Sequence, residues 1–115
     1  MGILQFEDII SWQKSRQLVL DVYRLFEKHN DFAFRNQIQR AAVSVMNNIA
    51  EGFERRTNKE FKYFLYVSKG SVGEVRSMLY LAKDLNKINE EEFADLYNKT
   101  LEISRLLSGL IKNIK

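Results

Sequence analysis

The chain of 115 residues is predicted to be all-α, an antiparallel up-down-up-down four-helix bundle. Three observations point there. The sequence contains no proline, so nothing forces a break inside a long helical pattern. Apolar residues recur at alternating spacings of three and four along most of its length. The interruptions are three short polar clusters built from helix-stop and helix-start residues. The length suits one domain, 1–115, and a hydrophobic content of 45% excludes a disordered chain.

The first helix is expected over about 8–29, with Trp12, Val19, Val22, Tyr23 and Phe26 on its apolar face. It stops at His29-Asn30-Asp31, where Asn30 suits a left-handed C-terminal position and Asp31 suits the next N-cap. The second helix covers about 32–55, with its seam at Ile38, Ala42, Val45, Ile49 and Phe53. Arg56-Thr57-Asn58 ends it. Thr57 and Glu60 fit a capping box for the third helix, 58–85. That helix shows Phe61, Phe64, Ser68, Ser71, Val75, Met78, Ala82 and Leu85 on a three-four rhythm. Gly70 and Gly73 flank Ser71, and a glycine inside a helix costs about 1 kcal/mol against alanine. They are expected to mark a close approach to Ala41, Ala42 and Ser44. After 86–89, Asn89 and three glutamates suit the start of the fourth helix, 89–114. Its seam runs through Phe93, Leu96, Thr100, Ile103, Leu107, Leu110 and Ile114.

Several function classes fall away on composition. The absence of cysteine excludes disulfides, thiolate metal sites and cysteine nucleophiles. No apolar run approaches the roughly 18 residues that span a bilayer. The opening Met1-Gly2-Ile3-Leu4-Gln5-Phe6 lacks the regions of a signal peptide, and Phe6 replaces the Ser or Thr of a myristoylation signal. A soluble, cytoplasmic chain with no membrane partner is expected. The formal charge is +3, unevenly placed. Residues 35–83 hold nine Lys/Arg against four acids, hence +5, and the remainder is −2. A basic middle permits nucleic-acid contact without demanding it.

A polar stripe, Gln37, Arg40, Ser44, Asn48, Glu51 and Arg55, runs beside the apolar seam of the second helix. Arg40, Ser44, Asn48 and Glu51, with Ser71 and Glu74 from the third helix, are expected to form a structural polar network. Glu51 and Glu74 are its acceptors and the acids expected to be partly buried. A fully buried Glu51–Arg pair would make Glu51→Ala cost about 3–5 kcal/mol. His29 is the single histidine. It has no second histidine or cysteine to form a metal site, and Ser44, Ser68 and Ser71 have no histidine base. No phosphate-cradling glycine loop is present, so neither cofactor, metal, small-molecule substrate nor catalysis is expected. Arg55, Arg56, Lys59, Lys62 and Lys69 cluster near the second turn with Tyr63, Phe64 and Tyr66 among them. They suit a phosphate-binding patch with rings for stacking on unpaired bases. They suit a solvated face better still, with Phe64 in the core and Glu54 and Glu60 compensating.

Apolar residues remain off the main seams, among them Leu20, Leu25, Met46, Tyr66, Tyr80, Leu81 and Leu106. A second apolar stripe suggests a second interface, and self-association is its simplest use.

These residues fall in a known pattern. It comprises Phe6-x-Asp8-x-x-x-Trp12-Gln13, Tyr23, and Gln37-x-x-Arg40-Ala41-Ala42-x-Ser44-x-x-x-Asn48-Ile49-Ala50-Glu51-Gly52. It continues with Glu60-Phe61-x-x-Phe64-Leu65 and Gly70-Ser71-x-x-Glu74. Over nearly its whole length the chain resembles the intervening-sequence proteins of 23S ribosomal RNA genes. The resemblance implies a small bacterial four-helix bundle, a ring-shaped homopentamer and no enzymatic activity. A distant branch serves diversity-generating retroelements, binding nucleic acid and a reverse transcriptase. That branch is generally more basic and lacks the Asn-Ile-Ala-Glu-Gly run. Here Met46 stands where the family often has proline, and Phe32-Ala33-Phe34 where it often has Phe-Gly-Leu.

The expected function is a non-catalytic module that binds RNA or a ribonucleoprotein through Arg55, Arg56, Lys59, Lys62 and Lys69. Five copies of a +3 chain carry +15, which would make a weak patch multivalent. The alternative is an oligomeric protein-interaction scaffold that touches no nucleic acid.

Overall fold

The computed structural model describes residues 2–115; Met1, part of the opening stretch read for targeting signals, lies outside them. Phe6–Asp8 form one 3-10 turn. Four helices follow: α1 Ile10–Phe26, α2 Phe32–Phe53, α3 Asn58–Asp84 and α4 Glu90–Asn113. Among the described residues there is no strand. The molecule measures 44 × 22 × 19 Å, an elongated bundle.

Cross-helix contacts fix the directions. Ser44 of α2 meets Ser71 of α3, while Gly52 at the end of α2 meets Phe61 and Phe64 at the start of α3. Tyr80 near the end of α3 packs on Phe93 near the start of α4. Lys14 pairs with Glu102, and Asp21 with Lys99, so α1 and α4 also run antiparallel.

The caps explain where each helix starts. Asp31 accepts the Phe34 amide at 3.1 Å, and Thr57 accepts that of Glu60 at 3.1 Å. Among the described residues the reciprocal capping box is made only by Asn89 and Glu92. The Glu60 carboxylate instead takes the Thr57 hydroxyl, leaving the expected box at Thr57 half-formed. The left-handed residue is Asn86, with φ 60°, and not Asn30. Asn86 lets the chain reverse between α3 and α4 while the Lys87 amide donates back to the Ala82 carbonyl at 2.8 Å.

The core is lined by Leu18, Val22 and Phe26 of α1, with Ile38, Ala42, Val45 and Ile49 of α2. From α4 it takes Phe93, Leu96, Thr100, Ile103 and Leu107. The α4 seam takes Ile111 where Leu110 was expected, and two seams differ over more of their length. In α1 the inward line is Ser11, Ser15, Leu18, Val22 and Phe26, while Tyr23 is exposed and Trp12 is half-buried against Phe6. In α3 the buried positions are Phe61, Leu65, Ser68, Val72, Val75, Met78, Leu79 and Ala82. Both versions of the α3 seam share Phe61, Ser68, Val75, Met78 and Ala82. The observed one adds Leu65, Val72 and Leu79 and leaves Phe64 and Ser71 half-buried. Burying Val72 removes more apolar surface from water than burying Ser71 would. Leu85 consequently stays exposed.

That rotation also corrects the role of the glycines. A Cβ on Gly70 or Gly73 would meet nothing within 4 Å, so neither marks a close approach. Gly52 does. A Cβ there would lie 2.7 Å from the Phe64 Cβ and 3.2 Å from the Phe61 carbonyl oxygen. Gly52→Ala is therefore expected to destabilise the bundle by about 1–3 kcal/mol through overpacking. Gly73→Ala should stabilise it by roughly 0.5–1 kcal/mol. Chemical denaturation of the two variants checks the opposite signs.

Lys87 pairs with Asp31 at 3.3 Å and ties the α3–α4 turn to the α2 N-terminus. The Phe34 amide, then Lys87, holds the Asp31 carboxyl below its ordinary value of 3.8. The stability this contributes is present above that ordinary value and is lost as pH falls through the lower folded one. Asparagine caps as well as aspartate. Asp31→Asn should therefore lose less stability than the native chain between about pH 5 and the acid limit of folding. Urea unfolding across that range measures the difference.

Candidate nucleic-acid interface

The polar stripe of α2 lies one step off its buried seam and faces the flank of α3. Ser44 and Ser71 hydroxyls are 2.8 Å apart across the two helices. The Asn48 side-chain amide donates to the Ser44 carbonyl at 2.8 Å and to its hydroxyl at 2.9 Å. These three residues are thus brought together. A step deeper, the fully buried Ser68 hydroxyl donates to the Val45 carbonyl at 2.7 Å. Ser68 stood out only as a polar residue on an apolar seam. Its bond is what makes that position tolerable.

Arg40 and Glu74 line one open groove above this cluster, together with Asn36, Gln37 and Ser44. Among the described residues neither makes an ion pair. Glu51 stands apart, near the end of α2, and accepts from Arg55 at 2.9 Å. Both acids are exposed, contrary to the expectation of partial burial. Removing a carboxylate from water costs several kcal/mol unless it is fully paired, and a stripe beside the seam leaves it free to stay wet. The network is therefore Ser44, Asn48 and Ser71, with Arg40 and Glu74 at its rim and Glu51 outside it.

The five expected phosphate contacts separate into groups. Arg55 is engaged already: its guanidinium lies 4.7 Å above the Phe64 ring as well as against Glu51. Arg56 and Lys59 are exposed at the α2–α3 turn, and Lys62 and Lys69 are half-buried along α3. Among the described residues none of these four makes an ion pair. Tyr63 and Tyr66 beside them are 62% and 59% exposed, enough ring surface for a stacked base. His29 lies beside the Phe26 ring at 5.2 Å.

The opposite face is organised differently. Lys99 of α4 bridges Asp21 of α1 and Asp95 of its own helix, 3.3 Å from the latter. Its hydrogen bond to Asp21 raises the ammonium above its ordinary value. Only the Asp95–Lys99 half was open to sequence reading, as an i,i+4 pair. The Asp21 half joins residues 78 apart. Among the described residues no group of three or more His, Cys, Asp or Glu could hold a metal ion. No helix is long and apolar enough to cross a membrane.

A profile of the 23S rRNA-intervening sequence protein family matches residues 7–109. The chain belongs to that family. A solved relative is a protein of unknown function from the S23 ribosomal protein family of Bacteroides thetaiotaomicron. It superposes with a TM-score of 0.85 over 90% of this chain and 100% of its own, at 23% identity. At that identity the likeness establishes the fold alone. No curated protein matches the chain.

Separating Glu51 from the half-buried network sets its energetics. Glu51→Ala should cost less than about 0.5 kcal/mol, the range of an exposed i,i+4 pair. Ser68→Ala should cost about 1 kcal/mol for the lost buried hydrogen bond. Thermal unfolding of both variants tests that order.

Proposed function

We propose that this chain is a non-catalytic RNA-binding bundle that works as a homo-oligomer, with a pentameric ring as its assembly, in the bacterial cytoplasm. The observation that carries this reading is the set of unpaired cations Arg56, Lys59, Lys62 and Lys69 around two exposed tyrosines. Lysine and arginine free of carboxylates release counterions from phosphates on contact, which supplies most of the affinity for nucleic acid. Arg56 and Lys59 also sit at the N-terminal end of α3, where the helix dipole adds positive potential. Arg55 contributes less, since Glu51 already neutralises it.

Self-association is supported by the apolar side chains left outside, with Phe32, Leu81 and Leu85 at 60%, 46% and 54% exposure. The groove holding an unpaired Arg40 and an unpaired Glu74 supports it too, since it offers both charge signs to a second copy. The same groove favours the second reading, a scaffold whose partners are proteins.

The two readings part on one experiment. Binding to a structured RNA hairpin is expected to be tight at low salt and to fall as a steep power of salt. Charge reversal at Arg56 and Lys59 should abolish most of it. Absence of binding at low salt, or indifference to the reversal with an intact fold, would leave the scaffold.

A further inference from the structure

The observed α3 seam leaves one line of side chains unexplained by packing. Lys62, Lys69, Arg76 and Lys83 recur every seven residues, which puts them on one edge of the helix. All four are half-buried. Lys83 fixes the side of the bundle: its ammonium lies 4.4 Å above the Phe93 ring of α4. The column therefore borders α4, with aliphatic stems on the bundle and charged ends in water. At about 1.5 Å per residue, neighbouring cations are about 10.5 Å apart and the line is about 31 Å long.

Between each pair of cations stands one further position of the same repeat. Tyr66 lies four residues after Lys62 and three before Lys69. Tyr80 holds the same place between Arg76 and Lys83, and Gly73 the middle one. The tyrosines are 59% and 45% exposed, and a Cβ on Gly73 would meet nothing within 4 Å. Carboxylates are scarce beside this line except at its Lys83 end, where Asp84 follows and Glu90 of α4 lies opposite. Between Phe61 and Lys83 the single acid is Glu74, which opens onto the α2 groove. Between Leu96 and Lys115 the single acid is Glu102, which pairs with Lys14 of α1. Among the described residues only Lys83 of the four has an ion pair, 3.7 Å from an exposed Glu90.

We propose that this edge of α3 is a track for a single strand of RNA. Phosphates follow the Lys62–Lys83 column, and unpaired bases stack on Tyr66 and Tyr80. Cations in file with exposed rings between them match a strand whose bases are free, because a paired base has no face to give. The proposal rests on the RNA-binding reading and deepens it. It moves the contact from the turn to the length of the helix and selects unpaired over duplex RNA.

The test uses the full chain, a labelled 12-nucleotide oligouridylate and an RNA duplex of the same length. Native protein should prefer the single strand. Tyr66→Ala should weaken single-strand binding by about tenfold and spare the duplex. Arg76→Glu should lower the slope of log affinity against log salt by about one or more. Lys28→Glu, at the far end of α1, serves as the control and should change neither. Native protein that binds neither RNA removes the RNA reading and the track with it. Binding lost on reversing Arg56 and Lys59 but untouched by Tyr66→Ala and Arg76→Glu keeps the reading and overturns the track. A changed sedimentation mass with unchanged RNA affinity in those variants makes this edge a contact between copies and also overturns it.

Discussion

The close approach of α2 to α3 at Gly52 governs the rest of the bundle. With hydrogen in place of a side chain there, Phe61 and Phe64 rest directly against the α2 backbone. That contact fixes the stagger of the two longest-paired helices near one end. Seven and ten residues after Phe61 the same stagger brings Ser68 to the Val45 carbonyl and Ser71 to Ser44. These hydrogen bonds add specificity more than stability: each is worth about 1 kcal/mol, yet a slipped register would leave buried hydroxyls without partners. Once α3 is held in this rotation, Leu65, Val72 and Leu79 must face inward. The cations of its outer edge then have no choice but to face water.

The faces of the bundle carry different electrostatics as a result. Between α1 and α4, opposite charges are matched through Lys14, Glu102, Asp21, Lys99 and Asp95. Such pairs join helices distant in sequence and close the bundle. Between α2 and α3 the surface is polar and carries one charge of each sign left free. Along α3 it is cationic with aromatic rings. A molecule that pairs its charges on one face and leaves them open on another is arranged for a polyanionic partner on the open face.

Much of this was legible in the chain. The class, the four helices and the caps at Asp31, Thr57 and Asn89 all follow from local chemistry, which acts within a few residues. The α4 seam was legible from Phe93 to Leu107, beyond which the neighbours Leu110 and Ile111 compete and Ile111 is the one buried. The α3 seam was legible only in part: Met78 and Leu79 are both buried, whereas Phe64 and Leu65 offer two apolar neighbours to one inward position. Only the packing against α2 and α4 chooses between them. Ser11 and Ser15 lay outside the expected α1 face because they are polar, yet both are buried, and the Ser15 hydroxyl donates back to the Ser11 carbonyl. Glu51 and Glu74 sit on a stripe whose regularity suggested burial, but periodicity gives a direction around a helix and not a depth. Gly70 and Gly73 carried no packing signal, whereas Gly52, placed near a helix end, carried the decisive one.

The central claim is that α3 presents RNA with phosphate contacts and stacking rings. Photo-crosslinking locates such contacts most directly. The native protein would be irradiated with RNA carrying 4-thiouridine and the modified peptides identified by mass spectrometry. Adducts on Tyr63, Tyr66 and Tyr80 are expected, with α1 unmodified. Adducts confined to α1, or none at saturating RNA, would contradict the claim.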